Sequence, residues 1–258
     1  MMQEIINVLI GAFGQWFGVA AFLFVILKIQ RRYLLELNRL GGRPLMLFSA
    51  AAFVPIHELS HALVALLCGH KVDKVVFFQV TQANTLGYVE HRYKKTFLSP
   101  FANMLIGFAP LLGGGVVCYW VTVHLMPSLL SVKYIPQDSE WVKLPDIVST
   151  ADTLFHLTKV HYSDGVFWLW AFLMVNMAIF SVPSGADFKG ASAGVVITLS
   201  LYVLLSVYAL GDRVTIDAEI ASGVLLVMPF LIMVILTSGL LVGLLTLTNK
   251  ILGRASCR

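Results

Sequence analysis

Two histidines and a glutamate stand close together in an otherwise apolar stretch of this sequence. His57, Glu58 and His61 form the pattern His-Glu-Leu-Ser-His, and residues 44–67 carry no other charged side chain. Residues four apart lie on one face of an α-helix, so both imidazoles can bind the same metal ion. The pattern is typical of two zinc ligands with a general base beside the first. Zinc lowers the pKa of water that it binds to about 7, and Glu58 can then accept the proton as that water attacks a carbonyl.

The surroundings of these three residues favour function over chance. Residues 44–67 exceed the roughly 20 apolar residues that cross a bilayer, and a carboxylate at its centre costs about 2.5–3.5 kcal/mol on insertion scales. The polar side chains must therefore face the protein interior or a water-filled cavity. Pro55 adds a kink in the same helix. The alternative is a polar trio that only forms hydrogen bonds with neighbouring helices.

Composition predicts the elements that position this motif. Of 258 residues, 58% are hydrophobic and 12% charged, and the mean hydropathy is +0.84; a soluble domain carries about twice that charged share. We predict an all-α polytopic membrane protein, a single membrane-embedded metalloprotease domain over 1–258 with its catalytic core at about 44–190. Its N-terminal segment lacks signal-peptide features and is expected to be a retained helix. Six spanning segments are predicted, at 5–27, 44–67, 97–123, 166–182, 191–210 and 220–247.

The basic residues flank these apolar segments. The net charge is +4, and we interpret the Lys and Arg side chains as membrane-edge anchors, not as a surface for nucleic acid. They divide evenly between the two sides, so the positive-inside rule gives no orientation. The cysteines lie far apart and are expected to be inert thiols. The first basic loop is predicted around Lys28, Arg31, Arg32, Arg39 and Arg43.

A small β-hairpin or sheet is predicted directly after the metal helix. Residues 74–80 are rich in β-forming side chains, 82–85 have turn chemistry, and 86–92 can return as a second strand. Such a hairpin either offers a strand edge that holds an extended substrate through main-chain hydrogen bonds or merely links two helices. The long loop 125–164 is expected to contain an interfacial helix or a helix over the mouth of the bundle.

Two further residues are candidates for the site. The short fourth segment ends in Pro183-Ser-Gly-Ala-Asp187, which predicts an unwound end where membrane proteins often place a site. A catalytic zinc takes three protein ligands, and Asp187 is the best third one unless it is a solvated loop residue. Asn103 either binds substrate backbone or ties two helices together. Rival third ligands are Glu90, Asp164, His70, His91, His124, His156 and His161.

The three motifs His57-Glu-Leu-Ser-His61, Ser99-Pro-Phe-Ala-Asn103 and Pro183-x-x-x-Asp187 together resemble the site-2 protease family of intramembrane zinc metalloproteases. The resemblance covers about 44–187. It implies His57, His61 and Asp187 as ligands of one Zn²⁺, Glu58 as base and Asn103 near the substrate. The usual Asn-x-x-Pro and Leu-Asp-Gly motifs of the family are altered here: Asn176 lies seven residues before Pro183, and Phe188 follows Asp187.

The resemblance also implies a partner and a location. Members of that family cleave a membrane-spanning segment of another protein, often in regulated intramembrane proteolysis. We therefore expect a multi-pass protein of the cell membrane with its active site towards the cytoplasm. The hairpin and the C-terminal tail would lie inside, and the loop 125–164 outside.

Three hypotheses follow from the sequence. The first is a zinc endopeptidase that hydrolyses peptide bonds in or near transmembrane segments. The second is a non-proteolytic membrane protein that binds zinc or holds transmembrane partners. Such a protein would not need a glutamate, Glu58, beside the metal ligands. The third is a membrane metalloprotease of different architecture with Glu90 as the third ligand.

Overall fold

The chain is mostly helical, with one small sheet. The computed structural model describes residues 2–79, 86–131, 152, 155–212, 235–236 and 238–253. In chain order the elements are α1 (Met2–Leu67), β1 (Lys71–Val76), β2 (Tyr88–Arg92), α2 (Ser99–Leu125), a 3₁₀ helix (Pro127–Ser131), α3 (Gly165–Phe180), α4 (Gly185–Asp212) and α5 (Ser238–Ile251).

Helix α1 reverses direction at Gly42. This glycine has a φ of 70°, a left-handed conformation that other residues rarely adopt, and Pro44 follows in the first turn of the second half. The Tyr33 hydroxyl lies 3.3 Å from the Ser49 hydroxyl, whereas 16 residues of straight helix would separate them by about 24 Å. The two halves of α1 therefore run antiparallel, side by side.

This reversal corrects one expectation. The basic residues predicted to form a loop, from Lys28 to Arg39, lie within the first half of α1, and the connection is reduced to the break at Gly42. The helix is stable there because its other face is buried: Tyr33 and Leu37 belong to the main apolar cluster, while Arg31 and Arg32 remain exposed.

Several helices are apolar enough to cross a membrane. Two pass by length and composition, Phe24–Leu67 and Ser99–Leu125, and the pair Gly165–Phe180 and Gly185–Tyr202, bent by 64°, counts as a third if it forms one span. The predicted helical, membrane-compatible fold is thus confirmed in outline. Six separate spans are not confirmed, and the predicted segment 220–247 and loop 125–164 lie largely outside the described residues.

The predicted hairpin follows α1 as an antiparallel pair. A Schellman motif ends the helix: Gly69, with a φ of 74°, and His70 donate backbone N–H groups to Leu66 and Ala65. Strands β1 and β2 then pair from Lys71 opposite Arg92, with a bulge between Val72 and Lys74. The strands are shorter than predicted, and the turn between them lies outside the described residues.

Two buried polar contacts hold the helices in register. The fully buried Asn176 of α3 accepts hydrogen bonds from Tyr33 (2.6 Å) and Ser49 (2.9 Å), and so ties α3 to both halves of α1. In the second contact, the side-chain amide of Asn249 in α5 donates hydrogen bonds to the backbone carbonyl (3.0 Å) and to the carboxylate (2.8 Å) of the buried Glu36. Because water is excluded from these positions, each contact is costly to break.

Three consecutive glycines let α2 approach two partners at once. A Cβ added at Gly113 would clash with the Ser60 side chain of α1, and one at Gly114 would clash with Ser181 after α3, whereas one at Gly115 would meet nothing. Close approach of helices through glycine is a common packing mode in membranes. Here it brings α1 and the end of α3 against the same turn of α2.

We expect Gly114→Ala to destabilise the protein, because the new methyl group must displace both Oγ and Cβ of Ser181. Overpacking of this kind costs about 1–3 kcal/mol. The measurement is thermal unfolding of the detergent-solubilised protein followed by helical circular dichroism. Gly115→Ala is the matched control and should unfold as the wild type does; equal melting of the two variants would contradict the packing.

Candidate metal centre

The two motif histidines are held by backbone carbonyls of other elements. Nδ1 of His57 lies 2.7 Å from the carbonyl oxygen of Phe180, and Nδ1 of His61 lies 2.7 Å from that of Ile106. A carbonyl can only accept a hydrogen bond, so each Nδ1 carries the proton. Each ring therefore directs the lone pair of Nε2 away from its carbonyl, which is the usual arrangement of a metal-binding histidine.

Both carbonyls are free because the helices that contain them are interrupted. Four residues after Ile106 stands Pro110, which has no N–H to offer the helical hydrogen bond. Phe180 is the last residue of α3, where helical carbonyls lose their partners. The neighbouring carbonyl of Ile179, four residues before Pro183, accepts from Gln30 of α1 at 3.0 Å.

The two Nε2 atoms and Asp187 converge on one point. The Nε2 atoms of His57 and His61 are 3.2 Å apart, and Asp187 oxygens lie 3.6 and 3.3 Å from them respectively. With Nδ1 protonated, both Nε2 atoms can offer a lone pair to the same cation. Ligands about 2.0–2.2 Å from a tetrahedral ion would be about 3.3–3.6 Å apart. The three side chains fit a single metal ion.

Asp187 is positioned by a capping box and by a glycine. It lies in the first turn of α4, where Oδ2 accepts from the Ser184 N–H (2.6 Å) and its own N–H donates to Ser184 Oγ (3.3 Å). A Cβ at Gly107 of α2 would lie 2.8 Å from the Asp187 carbonyl oxygen and 2.8 Å from Ala191 Cβ. The predicted unwound end is confirmed, since residues 181–184 break the helix before this turn.

Glu58 lies beneath the hairpin. Its side chain is buried, and a Cβ added at Gly87, just before β2, would lie 2.6 Å from Glu58 Cγ and 2.8 Å from Oε1. The strand that leads into β2 therefore passes directly over the carboxyl group. Glu58 is not one of the three convergent ligands, and a glutamate in this position remains available for proton transfer.

A cavity of about 750 Å³ joins these groups. Its wall includes the three ligands and Glu58, and opposite chain segments contribute Gln30 and Leu34 of α1 and the strand residues 86–89. Volumes of this size are typical of ligand-binding clefts. The polar groups thus share one space with the half-buried segment 86–89, which leads into and begins β2.

Asn103 also lines this cavity. Its side-chain amide donates to the Tyr93 hydroxyl at 2.8 Å, and so connects α2 with the chain after β2. It therefore ties a helix to the segment after β2, and not two helices to each other as one interpretation of the sequence had it. Contact with a substrate stays a prediction.

None of the rival third ligands that the structure describes converges with His57 and His61, although His91 lines the same cavity. Glu90 is exposed on β2 opposite Lys74, and the Asp164 side chain caps α3 by accepting from Val166 N–H at 2.8 Å. Nδ1 of His124 bonds to the carbonyl of Trp120. Within the described part of the chain, the one group of three convergent metal-binding side chains is His57, His61 and Asp187.

Sequence analysis missed the residues that support these groups. The capping pair Ser184 and Asp187 was readable as a Ser-x-x-Asp spacing, and Pro110 marked a carbonyl that had to find another donor. Gly87 and Gly107 gave no such signal, because their importance comes from contacts with distant parts of the chain.

Comparisons with known proteins identify no family: no family model, no curated protein and no solved structure matches this chain.

We expect Asp187→Ala to weaken metal binding strongly while Glu90→Ala leaves it unchanged. Loss of an outer partner of a ligand alone costs about 10–100-fold in affinity, so loss of the ligand itself should cost at least as much. The measurement is competitive titration of the purified apo-protein with Zn²⁺ and a chelating dye. Metal loss in Glu90→Ala with full retention in Asp187→Ala would reverse the assignment.

Proposed function

We propose that this protein is a zinc-dependent intramembrane endopeptidase of the site-2 protease type. It hydrolyses peptide bonds in or near transmembrane segments of other membrane proteins. The observation that carries the proposal is the buried Glu58, adjacent in sequence to a ligand of a three-residue metal centre, on a helix apolar enough to span a membrane. The non-proteolytic alternative leaves this carboxylate without a role.

The donor set supports zinc. Two imidazole nitrogens and one carboxylate, with a further position left for water, are typical of catalytic zinc centres. When bound, zinc polarises a substrate carbonyl and makes water acidic enough to lose a proton near neutral pH. His57 and His61 keep their ligand atoms oriented through the carbonyls of Phe180 and Ile106, so the centre needs little rearrangement.

Glu58 performs the proton transfers. It accepts a proton from the attacking water as the new C–O bond forms at the scissile carbonyl. It then donates that proton to the amide nitrogen as the C–N bond breaks, so that the products are a carboxylic acid and an amine. Its position on the cavity wall supports access to both atoms.

The hairpin is well placed to bind the substrate in an extended conformation. Among the described residues β2 pairs with β1 alone, and residues 86–89 line the cavity beside Glu58. A transmembrane helix must unwind before its peptide bonds become accessible, and an extended segment can then add to a strand edge through main-chain hydrogen bonds. In this proposal the substrate lies between the hairpin and the metal centre, near Asn103.

The apolar helices also bear on where the protein lies in the cell. Two or three helices are apolar enough to cross a membrane, and a protein substrate in the same bilayer can reach the cavity laterally. We propose a multi-pass protein with the active site towards the cytoplasmic side of the cell membrane.

We expect Glu58→Gln to keep the metal and lose cleavage. General bases contribute about 10²–10⁴-fold to rate, so product formation should fall at least 100-fold. His57→Ala should lose cleavage together with the metal bound between His57, His61 and Asp187. The assay follows a panel of tagged single-span membrane proteins in proteoliposomes, with metal content measured in parallel. Full activity of Glu58→Gln would reject the mechanism, and wild-type protein that binds partners without product would favour the non-proteolytic alternative.

We expect Gly87→Ala to lower cleavage without loss of metal, because the added methyl group must push either the strand or the Glu58 carboxyl group aside. A displacement of about 1 Å can cost about 100-fold in rate. Gly190→Ala is the matched control, since it lines the same cavity and its Cβ meets nothing. If both variants cleave the reporter equally well, the strand does not position Glu58.

A further inference from the structure

A second pair of histidines faces each other at the base of the hairpin. His70 follows the end of α1 and His91 lies on β2, and their Nδ1 atoms are 3.1 Å apart. The separation is nearly that of the two Nε2 atoms in the metal centre, 3.2 Å. Two ligands of one tetrahedral ion would have about this spacing.

The environment fixes both rings and keeps them neutral. His70 is only 6% exposed, and its ring stacks on Tyr93 with centroids 4.4 Å apart. Burial lowers the pKa of both His70 and His91. The nearby Asp73 carboxylate accepts two hydrogen bonds from Arg92, at 2.6 and 2.7 Å. It raises the pKa of His91, but by less than burial lowers it.

The chemistry of the pair suits a borderline divalent ion. Neutral imidazole nitrogen is a preferred ligand of Zn²⁺, Ni²⁺ and Cu²⁺. His91 lines the 750 Å³ cavity, which can supply water to the remaining coordination positions. With two protein ligands in place of three, the ion is held more weakly than at the metal centre and exchanges with the surroundings.

We infer that His70 and His91 form a second, exchangeable site for a divalent cation that links the end of α1 to β2. The same strand continues back to Gly87, which lies over Glu58. An ion at this position therefore holds the hairpin against the helix that carries the motif. Metal supply then sets how firmly the strand covers the carboxyl group.

The test counts metal ions in untagged full-length protein. Calorimetric titration of the apo-protein with Zn²⁺ should give two equivalents for the wild type, the second weaker, and one equivalent for His70→Gln or His91→Gln. His124→Gln is the control and should keep two, because that exposed side chain on α2 bonds to the Trp120 carbonyl and belongs to neither pair of histidines. Should His70→Gln fail to fold, the half-buried His91 on the hairpin keeps the test intact.

A background without the first centre separates this inference from the proposed protease. The His57→Ala/His61→Ala protein should still bind one equivalent of Zn²⁺ and melt at a higher temperature in its presence. Addition of His91→Gln should remove both effects. A wild type that binds one equivalent, together with a double variant that binds none, would show that the pair is a hydrogen bond only. Neither result depends on cleavage.

Discussion

The candidate metal centre depends on two hydrogen bonds from imidazole Nδ1–H groups to backbone carbonyls. In an apolar interior an unpaired carbonyl and an unpaired ring N–H are both costly, so each satisfies the other. The carbonyl of Ile106 is free because Pro110 removes its helical donor, and that of Phe180 because α3 ends. Breaks in two helices thus provide the carbonyl groups that orient the rings of His57 and His61.

Close contacts at glycines explain how four elements meet at one site. Glycines in α2 let the short side chains of Ser60 and Ser181 and the backbone of Asp187 approach that helix closely. Gly87 likewise lets the segment before β2 lie against the Glu58 side chain. These close contacts leave the side chains of the site little freedom to move. Rigid support of this kind is what a preorganised centre requires.

Much of the site was predictable from the sequence. The spacing of His57, Glu58 and His61 followed from helix geometry, and Asp187 from the short broken segment before it; the structure brings the two histidines and Asp187 together. The hairpin was predictable from β-forming residues around a turn. The reversal at Gly42 was masked by the basic residues around it, which suggested a loop, although glycine followed by proline two residues later was a readable signal. Gly107 could not be predicted, because its importance lies in contacts with Asp187 and Ala191.

The bond between Asn249 and Glu36 has a consequence for how the chain matures. The two residues are 213 positions apart, so the amide of Asn249 can reach the carboxylate of Glu36 only after α5 has been synthesised. Before that, Arg32 and Arg39, each 2.9 Å away, are near enough in the chain to pair with this carboxylate. Helix α5 contributes Asn249 to the burial of the Glu36 carboxylate. Its Leu241, Val242 and Leu245 also pack against the main apolar cluster. The main apolar cluster is therefore complete only once α5 has packed against it.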